Sequence, residues 1–128
     1  MAGWQRACIP TVGMLDPVAT HIERYMDLLS ARQKLVAANI ANADTPGYKT
    51  RDLDFQAEFR NATSQTSSPQ PAAVEVPGLK VTNDGNNVSL DREARLVAEN
   101  AMRFHMATEL MRSELRTVRS AITEGKNG

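Results

Sequence analysis

A chain of 128 residues, with Lys+Arg 15 balancing Asp+Glu 15, has the size of one modest domain and lacks the basic excess of a nucleic-acid binder or membrane-surface protein. Hydrophobic residues make up 41% but aromatic residues only 5%, so Ala, Leu, Val and Met carry the apolar content, which suits helix packing better than a β-sandwich. One cysteine, Cys8, excludes an intramolecular disulfide, and no run reaches the roughly 20 apolar residues of a transmembrane helix.

Residues 1–13 lack the continuous apolar core of a cleavable secretion signal and read as an extension of unknown role. The chain therefore stays in the cytoplasm or leaves by a route that reads no such signal. A terminal-helix segment follows over 14–43. Asp16 is placed to cap it and Pro17 to open its first turn. Ile22, Met26, Leu29, Gln33, Val36, Ile40 and Ala43 then recur at steps of four and three, with Leu28 and Leu35 widening the stripe. Asp44-Thr45-Pro46-Gly47 stops the helix, because Pro disfavours helix at the residue before it and Gly permits a turn.

The stretch 44–88 is predicted to be irregular. Residues 61–73 hold no periodic apolar set and read as flexible. Val74-Glu75-Val76 and Leu79-Lys80-Val81 alternate on either side of Pro77-Gly78 and could pair as a short hairpin, marginal on its own in water. Asn83-Asp84-Gly85-Asn86-Asn87 is a turn cluster.

The last helix is predicted over 89–123, before a tail at 124–128, with Ser89 as cap and Asp91 and Glu93 near the positive end of the helix dipole. Leu90, Ala94, Val97, Ala101, Phe104, Thr108, Met111, Leu115, Val118 and Ile122 form an unbroken heptad stripe, which predicts supercoiling around a partner helix. At 1.5 Å per residue it runs about 50 Å. A second line through Met102, Met106 and Leu110 calls for a further neighbour, and Met there tolerates varied partners. The natural first partner is the N-terminal helix. The expected fold is mainly α: two long terminal helices as an antiparallel coiled-coil-like pair, a partly disordered middle, and flanks left for other copies or chains.

No catalytic constellation rises above background. His21 and His105 have no ligand-spaced carboxylate or Cys, so no metal or cofactor is expected. Phosphate loops, nucleophile elbows and Cys pairs are missing, which removes the case for a small-molecule substrate. Glu93, Glu99, Glu109 and Glu114 read as solvated helix-surface carboxylates near Arg residues. Arg112, Arg116 and Arg119 complement the negative end of the helix dipole, or else dock acidic groups of a neighbour.

One motif stands out, Ala38-Asn39-Ile40-Ala41-Asn42-Ala43-Asp44-Thr45-Pro46-Gly47-Tyr48. Small residues permit close backbone approach, and Asn39 and Asn42 are costly in an apolar stretch unless their amides are satisfied. This run resembles the N-terminal signature of bacterial flagellar rod, hook and hook-associated proteins. Its continuation, Lys49-Thr50-Arg51-Asp52-Leu53-Asp54-Phe55, is similar to the proximal-rod (FlgB-type) branch, as is Asp84-Gly85-Asn86-Asn87-Val88-Ser89-Leu90-Asp91-Arg92-Glu93, with Ser89 where Asp is more usual. Met14-Leu15-Asp16 looks like the usual start in that family.

The resemblance implies a structural subunit, not an enzyme, exported by the flagellar type III apparatus without a cleaved signal. It implies helical assembly into the periplasmic rod as drive shaft and export-channel wall. The implied partners are copies of itself, other rod subunits, and the adaptor protein and export gate at the rod base. The implied assembly residues are Ile22, Met26, Leu29, Val36, Asn39, Ile40, Asn42, Thr45, Pro46, Gly47, Tyr48, Leu90, Val97, Phe104, Met111, Leu115, Val118 and Ile122. Two other readings remain at this point: another axial protein such as the second proximal-rod subunit, or a cytoplasmic helical adaptor dimerising through its C-terminal heptads.

Overall fold

A computed structural model describes residues 16–64 and 70–128; residues 1–15, with Cys8 and the expected extension, and residues 65–69, within the stretch expected to be flexible, lie outside that description. The element order is α1 (Asp16–Ala41), β1 (Arg51–Leu53), α2 (Phe55–Thr63), β2 (Ala73–Glu75) and α3 (Leu90–Asn127). The fold is mainly α, with two long terminal helices and a small two-stranded antiparallel sheet between them.

The two long helices pack antiparallel: Asn39 near the end of α1 meets Glu93 near the start of α3 at 3.1 Å, and Gln33 meets Asn100 at 3.2 Å. Ile22, Leu28, Leu29 and Val36 of α1, Leu53 of β1, and Leu96 and Ala107 of α3 are the buried apolar residues. Because α3 has 38 residues and α1 has 26, α3 runs on past the start of its partner, and residues 111–127 carry no buried side chain. The Ser89 cap is present, its side chain accepting from the Arg92 N–H.

The face that α3 turns towards α1 differs from the predicted one. The buried line is Glu93, Leu96, Asn100 and Ala107, one position before Ala94, Val97, Ala101 and Thr108 of the heptad stripe. One residue is 100° of helix rotation, so the stripe from Leu90 to Ile122 lies to one side of the pair and not in its seam. The cause is polar: the buried Asn39 and Asn100 need partners, which Glu93 supplies to the first and the exposed Gln33 to the second. On α1 the heptad Ile22, Leu29, Val36 is buried, while Met26 is half-buried and Ile40 is exposed.

The hairpin across Pro77-Gly78 does not form. β2 pairs instead with β1, in the register Arg51↔Glu75, Asp52↔Val74 and Leu53↔Ala73. A free ribbon of this size is marginal, whereas β1 is backed by α1 and buries Leu53. Sequence reading also missed α2. Asp54 caps it, accepting from the Ala57 N–H at 3.1 Å, and Phe55 and Phe59 sit edge-on to Tyr25 of α1 with centroids 5.3 and 5.7 Å away. Arg103 of α3 lies 5.9 Å over the Phe55 ring, so α2 bridges both long helices.

Candidate functional site

Past Ala41 the chain turns within a few residues. The Asn42 amide donates back to the Ala38 carbonyl at 2.8 Å, and the Thr45 hydroxyl donates to the Asn42 amide oxygen. These bonds satisfy helix-end groups that would otherwise lack partners. Gly47 then takes φ +75°, and its N–H donates to the Asp84 carbonyl at 2.9 Å. The loop it meets is the turn cluster near residue 85. Asn86, 3% exposed, donates to the carbonyls of Asn42 and Thr45 at 2.9 and 2.8 Å. Lys49 donates to the Gly85 carbonyl, the Tyr48 carbonyl accepts from Asn87, and the fully buried Thr50 donates its N–H to the Asn87 side chain at 2.6 Å. Two segments some 40 residues apart are thus tied into one knot.

Gly85 also has positive φ, +85°, and a Cβ there would stand 3.4 Å from the Gly47 Cα. Gly85→Ala should therefore lower stability by about 1–2 kcal/mol, read as a drop of several degrees in a circular-dichroism melt.

Below the knot Asn39, 1% exposed, uses its whole amide. It donates to the Arg51 carbonyl (2.8 Å) and the Glu93 carboxylate (3.1 Å), and it accepts from the Tyr48 hydroxyl and the Arg51 N–H (3.1 Å each). One side chain joins α1, β1 and α3. Glu93 is fully buried, which corrects its reading as a solvated surface carboxylate: its other oxygen accepts from Arg92 at 2.6 Å. The same Arg92 reaches Asp52 at 2.7 Å, and Arg32 of α1 grips Asp52 with two bonds of 2.9 and 3.1 Å. Burial pushes the Asp52 carboxyl up, but the Arg32 hydrogen bonds, the Leu53 N–H, the Arg32 charge and Arg92 together hold it below the usual carboxylate range. Glu99–Arg103 and Glu109–Arg112 are helix-surface pairs, as expected.

The residues expected at an assembly interface separate by burial. Ile22, Leu29, Val36 and Asn39 are buried within the chain itself, and Met26, Asn42, Tyr48, Val97, Met111 and Val118 are half-buried. Ile40, Thr45, Pro46 and Gly47 are exposed, and on α3 Leu90, Phe104, Leu115 and Ile122 are 56, 43, 60 and 62% exposed. Two apolar grooves flank the helix pair. One, of about 580 Å³, runs between Leu29 and Ala37 of α1 and Val97, Ala101 and Phe104 of the stripe. The other, of about 1110 Å³, lies between Val18, Ile22 and Tyr25 and the second line of Met102, Met106 and Leu110. Both grooves are lined mainly by apolar side chains, many of them exposed.

Sequence reading quoted Asp52, Asn86, Asn87 and Arg92 within the family-like runs but placed none of them, nor Arg32, among the contact residues, although all sit at or just below the knot. The signal was there for Asn86 and Asn87, as adjacent amides in a turn, but nothing in their spacing names Asn42 and Thr50 as partners.

Comparison with known proteins matches the same elements. The family model described as flagella basal body rod protein matches residues 26–49, the second half of α1 through the turn. The flagellar basal body rod protein FlgB of Salmonella typhimurium is 33% identical, covering 87% of this chain and 96% of its own length. FlgB of Escherichia coli is 29% identical over the same shares, and FlgB of Borreliella burgdorferi is 29% identical over 68% of this chain and 82% of its own. Two signatures knotted in space, long paired helices and near full-length similarity converge: the chain belongs to the FlgB family of flagellar basal body rod proteins.

Proposed function

We propose that this chain is a structural subunit of the flagellar rod, assembling with copies of itself and with other rod components, and that α3 supplies its main contact surface. The observation that carries the reading is the stripe from Leu90 to Ile122, large apolar side chains left exposed along a helix in a chain of the rod family. Stacked subunits bury such stripes against each other, and interlocked helices resist slip under torque. In this reading the chain is exported without a cleaved signal and sits at the rod base beside the adaptor protein and the export gate. The turn Thr45-Pro46-Gly47, held rigid by the knot, presents a second contact at the end of the helix pair. The work is done by packing, not by catalysis.

Deleting the gene should abolish swimming and leave basal bodies without rods in electron micrographs. A wild-type copy restores both, while Leu115→Asp, placed on the exposed part of α3 where no described residue is buried, gives a folded protein that restores neither. Swimming cells with intact rods after the deletion would reject the proposal.

A further inference from the structure

The α3 stripe is complementary to itself when reversed, and we propose that free copies of this chain pair through it as a closed antiparallel dimer with its two-fold axis beside His105. In heptad terms the stripe occupies the two core positions. Reversal about its midpoint sets Leu90 against the partner copy's Ile122 position, Ala94 against Val118, Val97 against Leu115, Ala101 against Met111 and Phe104 against Thr108. The alanines meet larger side chains and the aromatic ring meets a smaller one, so the layers fill. A parallel pairing would set Ala94 and Ala101 each against itself and leave voids.

Charge points the same way. Of the two rows flanking the stripe, one is buried within the chain over Glu93, Asn100 and Ala107 and continues through the half-buried Glu114 and the exposed Ala121. The open row holds Asp91, Ala98, His105, Arg112 and Arg119, all exposed. In the antiparallel register each Asp91 faces an Arg119 and each Ala98 faces an Arg112. Asp91 and Arg119 form no ion pair with any described residue, so both are free for this one. α1 does not obstruct the contact, because its seam lies one position, 100°, round the helix. The arrangement goes beyond the rod reading: a two-fold contact closes on itself and cannot propagate a filament, so the dimer covers the stripe in the unassembled subunit and has to open for assembly.

Sedimentation equilibrium of the full chain should show a dimer in the micromolar range. Arg119→Glu should weaken dimerisation about tenfold, and combining it with Asp91→Lys should restore it to within about threefold, because the two flanking pairs reverse together. Leu115→Asp should be monomeric with an unchanged circular-dichroism spectrum. Direction is read in a Cys8→Ser background by mixing Ala98→Cys with Arg112→Cys and adding a short bis-maleimide. Cross-links between the two variants should exceed those within either one. A monomer at every concentration, or a dimer whose cross-links join like positions, overturns the proposal.

Discussion

Asn39→Asp should destabilise the fold by about 4 kcal/mol, more than Asn39→Ala at about 3, although it changes a single atom of the side chain. The amide nitrogen is the group that matters. It donates at 2.8 Å to the Arg51 carbonyl and at 3.1 Å to the Glu93 carboxylate, inside a site where Asn39 and Glu93 are 1 and 0% exposed. A carboxylate oxygen there turns two attractions into two repulsions and sets a second negative charge against a buried one. Alanine only removes partners, and the half-buried Tyr48 hydroxyl can then turn to water. For a domain with about 5–15 kcal/mol of total stability, either loss is a large fraction. Urea unfolding followed at 222 nm gives the ranking. Equal losses for Asp and Ala would show that the amide is not the link between the helices.

Why the helices were legible and their contact was not follows from what periodicity measures. The Ser89 cap, the stop at Thr45-Pro46-Gly47 and the antiparallel pairing are local or length-driven signals, and the structure has all three. The stripe through Val97, Phe104 and Leu115 is the strongest apolar period on α3, so it looked like the seam. The actual seam is mixed, with Glu93 and Asn100 beside Leu96 and Ala107, and its polar members find their partners in Asn39 and Gln33, more than 50 residues away. Periodicity finds apolar faces; it is blind to a face chosen by hydrogen bonds. The same blindness hid the partner of β2, since Ala73–Glu75 pairs with a strand on the far side of α2. For α2 the signal existed, with Asp54 as cap and Phe55, Phe59 and Ala62 at helical spacing, but the segment is short beside its long neighbours.

The division of labour on α3 has a consequence for assembly. The intrachain seam of α3 mixes Glu93 and Asn100, with their specific partners, and the buried apolar residues Leu96 and Ala107. Large apolar side chains such as Leu90, Met102, Phe104, Met106, Leu115 and Ile122 are exposed. A helix pair built this way tolerates a new neighbour on either flank without giving up its own register, because the groove bounded by Phe104 and the groove bounded by Met106 lie on opposite sides of α1. Asn100 fits the pattern: its side-chain oxygen is buried without a hydrogen-bond partner, a cost that an apolar residue would have avoided. A buried amide of this kind specifies one register over others at some expense in stability.

Asp52→Asn should cost about 3 kcal/mol at neutral pH and progressively less as pH falls below the ordinary carboxylate value of 3.8. Asp52 neutralises two guanidinium groups at once, Arg32 from α1 and Arg92 from α3, so its charge ties both helices to β1. Asparagine keeps the shape but turns an NH2 group towards two cations that are only 14 and 17% exposed. The sign with pH follows from the depressed pKa. A carboxyl held lower in the folded chain than its ordinary value of 3.8 contributes in full above that value, and the contribution is lost as pH falls through the folded pKa. Wild type therefore weakens at the acid end while the Asn variant, lacking the group, does not weaken for this reason. Other carboxylates titrate in both proteins, so the readout is the difference between their urea midpoints, measured from pH 7 down to pH 2. It should be wide at the neutral end and narrow as pH falls below 3.8. A gap that stays constant across the range would place the cost in packing instead, and Arg32 and Arg92 would then be neighbours of Asp52 and not its dependants.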